Sequence, residues 1–190
     1  MQPDLFGPTP GWPPGLVYEE DFLAPDEEAR AIEVLQSLPL KEADYKGHTA
    51  RRRVASFLSR YDFGENELHR GPPLPAQLAP LVERIAGWMR VDLREIANVL
   101  VAEYRPGTPL GWHRDVPQFE RIAGVSFAAP CTLRLRRYPP VRRAPTLDLA
   151  VAARSIYGLE GEARWGWQHA VPPVAALRYS LTCRTRSARG

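Results

Sequence analysis

His113-Arg-Asp115 and His169 are the residues of this chain best suited to chemistry. Along an extended strand, residues two apart project to one face, so His113 and Asp115 can reach a common point while Arg114 turns away. Two imidazoles and one carboxylate suit a divalent non-haem iron and leave coordination positions open. A His-x-Asp alone is weak. Four histidines and eight aspartates in 190 residues would produce one by chance in roughly one such chain in six. His169 by itself also fits a packed core histidine, because it follows Trp165, Trp167 and Gln168.

The strand Arg178-Tyr-Ser-Leu-Thr-Cys-Arg184 is more telling. One face carries Arg178, Ser180, Thr182 and Arg184, and the other carries Tyr179, Leu181 and Cys183. On an outer edge the polar face would simply be wet. Inside a closed barrel it becomes a row of buried donors that needs anionic partners, which a dicarboxylate supplies. Asn98, Leu100, Ala102 and Tyr104 share a face of the strand leading into His-x-Asp. Tyr104 is therefore either a donor to the same ligand or a core aromatic.

The elements that must position these groups follow from periodicity. A short strand is expected at Leu16-Val-Tyr18. A helix then starts at Pro25 with acids in its first turn, buries Ala29, Ile32, Leu35 and Leu38, and ends at Pro39. A second helix over 75–89 shares a face of Leu78, Leu81, Val82, Ile85 and Trp88, and a short helical turn follows at 92–96. From 98 onward short strands separated by Gly and Pro are expected at 98–104, 122–128, 132–137, 146–150, 154–158 and 176–185. Helices first and strands after make an α+β chain whose second half builds the sheets.

Composition bounds the rest. A chain of 190 residues fits one domain, with 44% hydrophobic and 25% charged residues, as in ordinary globular proteins. No apolar run reaches transmembrane length, and Met1-Gln-Pro-Asp-Leu-Phe-Gly lacks the pattern of a signal peptide. Only Cys131 and Cys183 are present, which argues against a disulfide scaffold, and a cytoplasmic location is expected. Lys41 and Lys46 are the sole lysines, so the basic residues behind the net charge of +3 are almost all arginine. That bias reads either as genome composition or as a surface for phosphates. The cluster Arg51-Arg52-Arg53 leading to Tyr61 and Phe63 reads either as a solvated hairpin or as a grip on a nucleic-acid backbone with stacking aromatics.

Taken together, Glu103-Tyr104-Arg-Pro-Gly, Gly-Trp-His113-Arg-Asp115, Gly161-Glu-Ala-Arg-Trp with His169, and Arg178-x5-Arg184 resemble the AlkB family of iron(II)- and 2-oxoglutarate-dependent dioxygenases. The resemblance covers roughly residues 95–187 and, more loosely, Arg51–Phe63. It implies a double-stranded β-helix (jelly-roll) core over 98–187 with N-terminal helices outside and a substrate-recognition lid over 41–63, while residues 1–20, rich in Pro and Gly, read from composition as an extended arm. It implies iron(II) on His113, Asp115 and His169, with 2-oxoglutarate and oxygen as co-substrates. Arg178 would grip the far carboxylate in two-point fashion, and Tyr104, Thr182 and Arg184 would support the co-substrate and the metal end. Arg53, Tyr61 and Phe63 fall where the family's lid meets a nucleotide.

Further implications of the resemblance are oxidative removal of methyl groups from a single-stranded or flipped base in DNA or RNA, and DNA repair as the setting. No membrane partner is implied; oligomeric state stays open, with a monomer as default. Two positions depart from the family. Ala102 stands where many members have an Asn that helps bind 2-oxoglutarate, which removes one hydrogen bond of about 0.5–1.5 kcal/mol. Val116-Pro117 follows His-x-Asp where repair members often carry an acid facing a cationic base. A dioxygenase acting on a protein side chain or small molecule, and a nucleic-acid-binding module with a decayed site, are the alternative readings.

Overall fold

The structure, a computed structural model, describes residues 11–45 and 48–188. Its elements in order are β1 (Leu16–Glu19), α1 (Pro25–Ser37), β2 (Lys41–Tyr45), β3 (His48–Phe57), β4 (Ser59–Asp62), β5 (Glu67–Arg70), α2 (Ala79–Met89), β6 (Ile96–Tyr104), β7 (Leu110–His113), β8 (Phe119–Phe127), β9 (Cys131–Arg137), β10 (Leu147–Val151), β11 (Ile156–Leu159), α3 (Gly161–Trp165), β12 (Trp167–Val171) and β13 (Arg178–Arg186). A 3-10 turn at Ala76–Leu78 leads into α2, and another at Leu93–Glu95 leads into β6.

A major sheet has the order β1-β11-β8-β13-β6-β3-β2, and a minor sheet has β10-β9-β12-β7. All their pairings are antiparallel. Two sheets face to face with the helices on one outer side make the expected jelly roll. β4 and β5 form a separate hairpin.

Two apolar clusters fix this arrangement. Leu35 of α1 and Val82, Ile85 and Met89 of α2 pack with Val99, Val101, Phe127, Tyr179, Leu181 and Cys183 on the helix side of the major sheet. Ala102, Tyr104, Leu133, Leu135, Leu149 and Val171 pack between the sheets. α1 starts where expected: Pro25 opens it, acids fill the first turn, and the Glu27 carboxylate accepts the backbone N–H of Ala24 at 2.8 Å. Its buried stripe is shifted, however. Ala29 is exposed, and Ala31, Ile32, Val34, Leu35 and Leu38 make the contact.

β13 is the spine. It pairs with β6 on one side and β8 on the other, and its first eight residues are all buried. Tyr179, Leu181 and Cys183 enter the helix-side core, which leaves Arg178, Ser180, Thr182 and Arg184 facing the space between the sheets. That alternation is the one read from the sequence. The strand crosses Gly124 in β8, where a Cβ would lie 2.6 Å from the Tyr157 ring. Glycine there lets the Tyr157 ring of β11 lie flat across β8.

Other expectations need correction. The order is not helices first, because β2 to β5 precede α2. β7 and β12 were not anticipated as strands; each is four or five residues long and carries aromatic and polar residues instead of a β-branched run. Of the extended arm, residues 1–10 lie outside the described residues, while Leu16–Glu19 forms an edge strand on β11. Among the described residues, no helix is long and apolar enough to cross a membrane.

On the helix side of the major sheet, charge is concentrated at Glu103. This 4%-exposed carboxylate receives Arg53 Nε at 2.8 Å and Nη2 at 2.5 Å, with Arg105 at 3.3 Å. The Arg53 hydrogen bonds hold its carboxyl below the ordinary value of 4.5, against the opposing effect of burial. A depressed carboxyl contributes stability that is full above its unfolded pKa and is lost as pH falls through the folded one. Glu103→Gln should therefore lower stability by about 1–3 kcal/mol near neutral pH. The gap to wild type should shrink below pH 4.5. Urea denaturation midpoints at neutral and acidic pH measure both effects.

Candidate active site

β7 and β12 lie side by side at the edge of the minor sheet, with His113 directly opposite His169. Their rings are 4.2 Å apart between centroids, tilted by 58°. The chain leaves β7 after His113, and Asp115 turns back so that its Oδ2 sits 3.7 Å from His169 Nε2. Ligand atoms of the three side chains all lie within 4.8 Å of one another. The site predicted from His-x-Asp and a distant histidine is therefore assembled, although Asp115 comes from the loop after the strand.

Two of the three ligands, His113 and Asp115, are oriented by a neighbour. His113 Nδ1 lies 2.9 Å from the carbonyl oxygen of Gly111. A carbonyl only accepts, so Nδ1 carries the proton and Nε2 keeps its lone pair for a metal. Arg184 donates to Asp115 Oδ1 from Nε at 2.8 Å and from Nη2 at 2.7 Å, which leaves Oδ2 as the free ligand atom. A side-chain amide fixes Arg184 itself, whose Nη1 donates to Asn98 Oδ1 at 2.8 Å. Arg164 of α3, 2% exposed, donates to the backbone carbonyls of Asp115, Val116 and Phe119 at 2.8–3.0 Å. It pins the loop that carries the carboxylate. Arg164 lay inside a recognised motif, yet nothing in spacing alone assigned it this contact.

Charge state follows the same logic. Burial alone would raise the Asp115 carboxyl, but Arg184, with the two imidazoles and Arg164, outweighs it and holds the carboxyl well below the usual carboxylate range. Burial pushes His169 down to about 3, with His113 adding to the effect and Asp115 opposing it. His113 is lowered too, chiefly by burial. The cluster thus presents two neutral imidazoles and one carboxylate, the protonation state a divalent cation requires.

Arg178 lies at the far end of the polar row. It is 3% exposed, its Nε donates to Ser126 Oγ at 3.0 Å, and its guanidinium carbon sits 5.0 Å from the centre of the Tyr104 ring. No described carboxylate pairs with it. A buried guanidinium held only by a hydroxyl and an aromatic ring is costly unless an anion joins it. Thr182, 8% exposed, and Ser180 line the row between the two arginines. The donor set thus fits a metal chelated at one end and a small dicarboxylate anchored at the other. Tyr104, Thr182, Arg178 and Arg184 all face this space.

The lid residues fare differently. Arg53 is committed to Glu103 on the helix side of the sheet, together with the Tyr179 hydroxyl at 3.4 Å, and does not join the metal cluster. Of this arginine cluster, Arg52 is the residue whose charge reaches His113. β3 is irregular here, with Arg53 opposite Glu42 but Ala50 opposite Ala43. Arg52, inside this bulge, lies close enough to His113 for its charge to help depress that imidazole. Tyr61 and Phe63 stack edge to face at 4.9 Å on the β4–β5 hairpin. Sequence could locate the Arg cluster, but the bulge that chooses among its members is a tertiary feature.

A family model for the 2OG-Fe(II) oxygenase superfamily matches residues 15–189. The chain belongs to this superfamily of iron(II)- and 2-oxoglutarate-dependent dioxygenases and is AlkB-like within it. An Arabidopsis thaliana protein named as an alkylated DNA repair protein ALKBH8 homolog is 30% identical over 182 residues, covering 84% of this chain and 51% of the relative. The Xenopus tropicalis tRNA (carboxymethyluridine(34)-5-O)-methyltransferase alkbh8 is 24% identical over 170 residues, covering 87% of this chain and 26% of the relative. The chain thus spans about half or less of the length of these curated relatives. The solved structure of OsALKBH1 matches with a TM-score of 0.71 at 16% identity, over 91% of this chain and 97% of that one, a likeness of fold.

His113→Ala should abolish tight iron(II) binding, measured by anaerobic titration of the metal-free protein. Arg184→Gln keeps all three ligands but frees Asp115, and should weaken binding roughly 10–100-fold. Unchanged affinity in His113→Ala would mean that the metal sits elsewhere.

Proposed function

We propose that this chain oxidises a methyl or other alkyl group on a nucleobase of DNA or RNA, with His113, Asp115 and His169 holding iron(II) and Arg178 anchoring 2-oxoglutarate. When bound, these two supply an oxidant drawn from dioxygen as 2-oxoglutarate loses carbon dioxide to become succinate. The chain's own residues do the positioning. Arg184 keeps Asp115 ionised and aims one oxygen at the metal. Arg178, with the Tyr104 ring beside it, would fix the co-substrate's distal carboxylate by two-point donation, and Thr182 stands further along the row toward Arg184. Ala102 has no side chain able to hydrogen-bond at its position in the strand, so the anchor relies on Arg178.

The observation that carries the nucleic-acid reading is Arg52. It brings a cation within electrostatic reach of His113, and Tyr61 and Phe63 pair edge to face on the β4–β5 hairpin. A cation near the metal cluster suits a phosphate arriving with an unstacked base, and an aromatic pair suits stacking. The named functions of the relatives, an alkylated-DNA repair protein homolog and tRNA methyltransferases, lend support.

Arg52 also bears on the lesion. Val116 and Pro117 follow the metal motif, and the Val116 carbonyl is occupied by Arg164. With a guanidinium nearby and no acid following Asp115, the site favours a neutral alkylated base over a cationic one. Where the oxidised carbon is attached to nitrogen, the hydroxymethyl product collapses to formaldehyde and the free base.

The test is incubation with iron(II), 2-oxoglutarate and single-stranded oligonucleotides carrying either a neutral or a cationic methylated base. Formaldehyde and loss of the methyl mass should appear with succinate, faster on the neutral base, and Arg52→Glu should narrow that preference. Succinate released with every oligonucleotide unchanged would sink the reading and leave a side chain or small molecule as substrate.

A further inference from the structure

The outer face of the minor sheet carries a second feature with chemistry of its own. A groove of about 470 Å³ is lined by Trp112, Arg136, Arg137, Val141, Arg142 and Arg143, where β7 and β9 meet the loop joining β9 to β10. Four arginines line it and no carboxylate does. The nearby acids are already used: Asp148 holds Arg134 at 2.8 Å, and Glu162 takes Arg137 at 3.3 Å.

Arg136 is mounted for use. Its guanidinium carbon lies 4.3 Å from the centre of the Trp112 ring, and its Nε donates to Gln168 Oε1 at 2.8 Å. Those contacts hold the plane but leave both terminal nitrogens without an acceptor among the described residues. Arg142 and Arg143 are exposed and have no ion-pair partner among the described residues. Stacked and forked guanidiniums match anionic oxygens in two-point fashion, those of a phosphate backbone among them, and the stacked ring offers a face to a neighbouring base.

Position gives the groove its meaning. β7 is the edge strand of the minor sheet. His113 faces the metal cluster, so its neighbour Trp112 faces the opposite side, toward the groove. Only the thickness of one strand separates the two. A single strand whose base enters at the metal can cross this edge and continue over the groove.

We propose that the groove binds the phosphate backbone of single-stranded nucleic acid next to the nucleotide being oxidised. This rests on the nucleic-acid reading above and extends it to a second contact surface outside the cavity.

The test uses the full chain loaded with manganese(II) and measures binding of labelled unmodified single-stranded oligonucleotides by fluorescence anisotropy across a salt series. Wild type is compared with Arg142→Ser/Arg143→Ser and with Arg30→Ser/Arg94→Ser, which removes the same charge from the helix side. Two lost phosphate contacts should make the slope of log affinity against log salt shallower by about 1.4 for a single strand, whereas the control pair keeps the wild-type slope. Trp112→Ala, which removes the support beneath Arg136, should also weaken binding. Equal slopes in wild type and Arg142→Ser/Arg143→Ser overturn the groove and leave the nucleic-acid reading standing. No oligonucleotide binding by wild type at any salt overturns both. Binding to polyglutamate that is tighter than to the oligonucleotide, and lost in the double variant, overturns the proposal by assigning the groove to acidic proteins.

Discussion

Two guanidiniums are buried on one face of the central strand, and the interior has to answer both. Arg184 is answered by Asp115, which it ionises, orients and partly occupies. Arg178 is answered by a hydroxyl and a ring, with no counter-charge from the described residues. A fold designed only for stability would replace such a row with apolar side chains, since buried ion pairs seldom outcompete well-packed hydrophobes. The asymmetry between the two arginines divides the space between the sheets into a metal end and an anion end. Nearly every other feature of the interior serves that division.

The support for Asp115 runs through three separate parts of the chain. Arg184 comes from β13, Asn98 from β6 and Arg164 from α3, and the carboxylate itself sits on a loop. A loop ligand would normally be the weak member of a metal set. Here Arg164 ties the backbone on both sides of Val116 while Arg184 ties the side chain. Rigid strands thus extend their precision to a residue that lies on none of them. The helix-side core, through Leu181 and Cys183, holds β13 in the register that makes this work.

Much of this was legible in the sequence because it depends on period and order. The alternation of Arg178–Arg184 foretold which side chains would share a face, and Pro25 and Pro39 framed α1 correctly. The His-x-Asp spacing and the later His169 gave the ligand set. What sequence could not supply was set by contacts between distant segments. β7 and β12 lack β-branched runs, so only their mutual pairing and β9 make them strands. The resemblance pointed to Arg53 as a substrate contact through its place in the lid segment. A buried Glu103 on another strand claims it, and a bulge gives Arg52 the position near His113 instead. The contact made by Arg164 was likewise invisible, although the residue lay in a recognised motif, because a buried arginine bonded to carbonyls has no sequence signature.

The edge position of β7 connects these levels. A strand with one free side is a liability in most sheets, since it invites pairing with another chain. In this protein the same strand carries a candidate metal ligand inward and a tryptophan outward, and its other edge has no partner strand among the described residues. Keeping β7 short, four residues with a glycine among them, limits the pairing it can offer. Arg114, stacked on Tyr138 at 3.6 Å and bonded to the Trp165 carbonyl at 2.8 Å, holds the chain just past the strand's end. The edge is therefore open to a ligand yet fixed in place. That combination lets one strand serve an oxidant on its inner face and a cationic surface on its outer one.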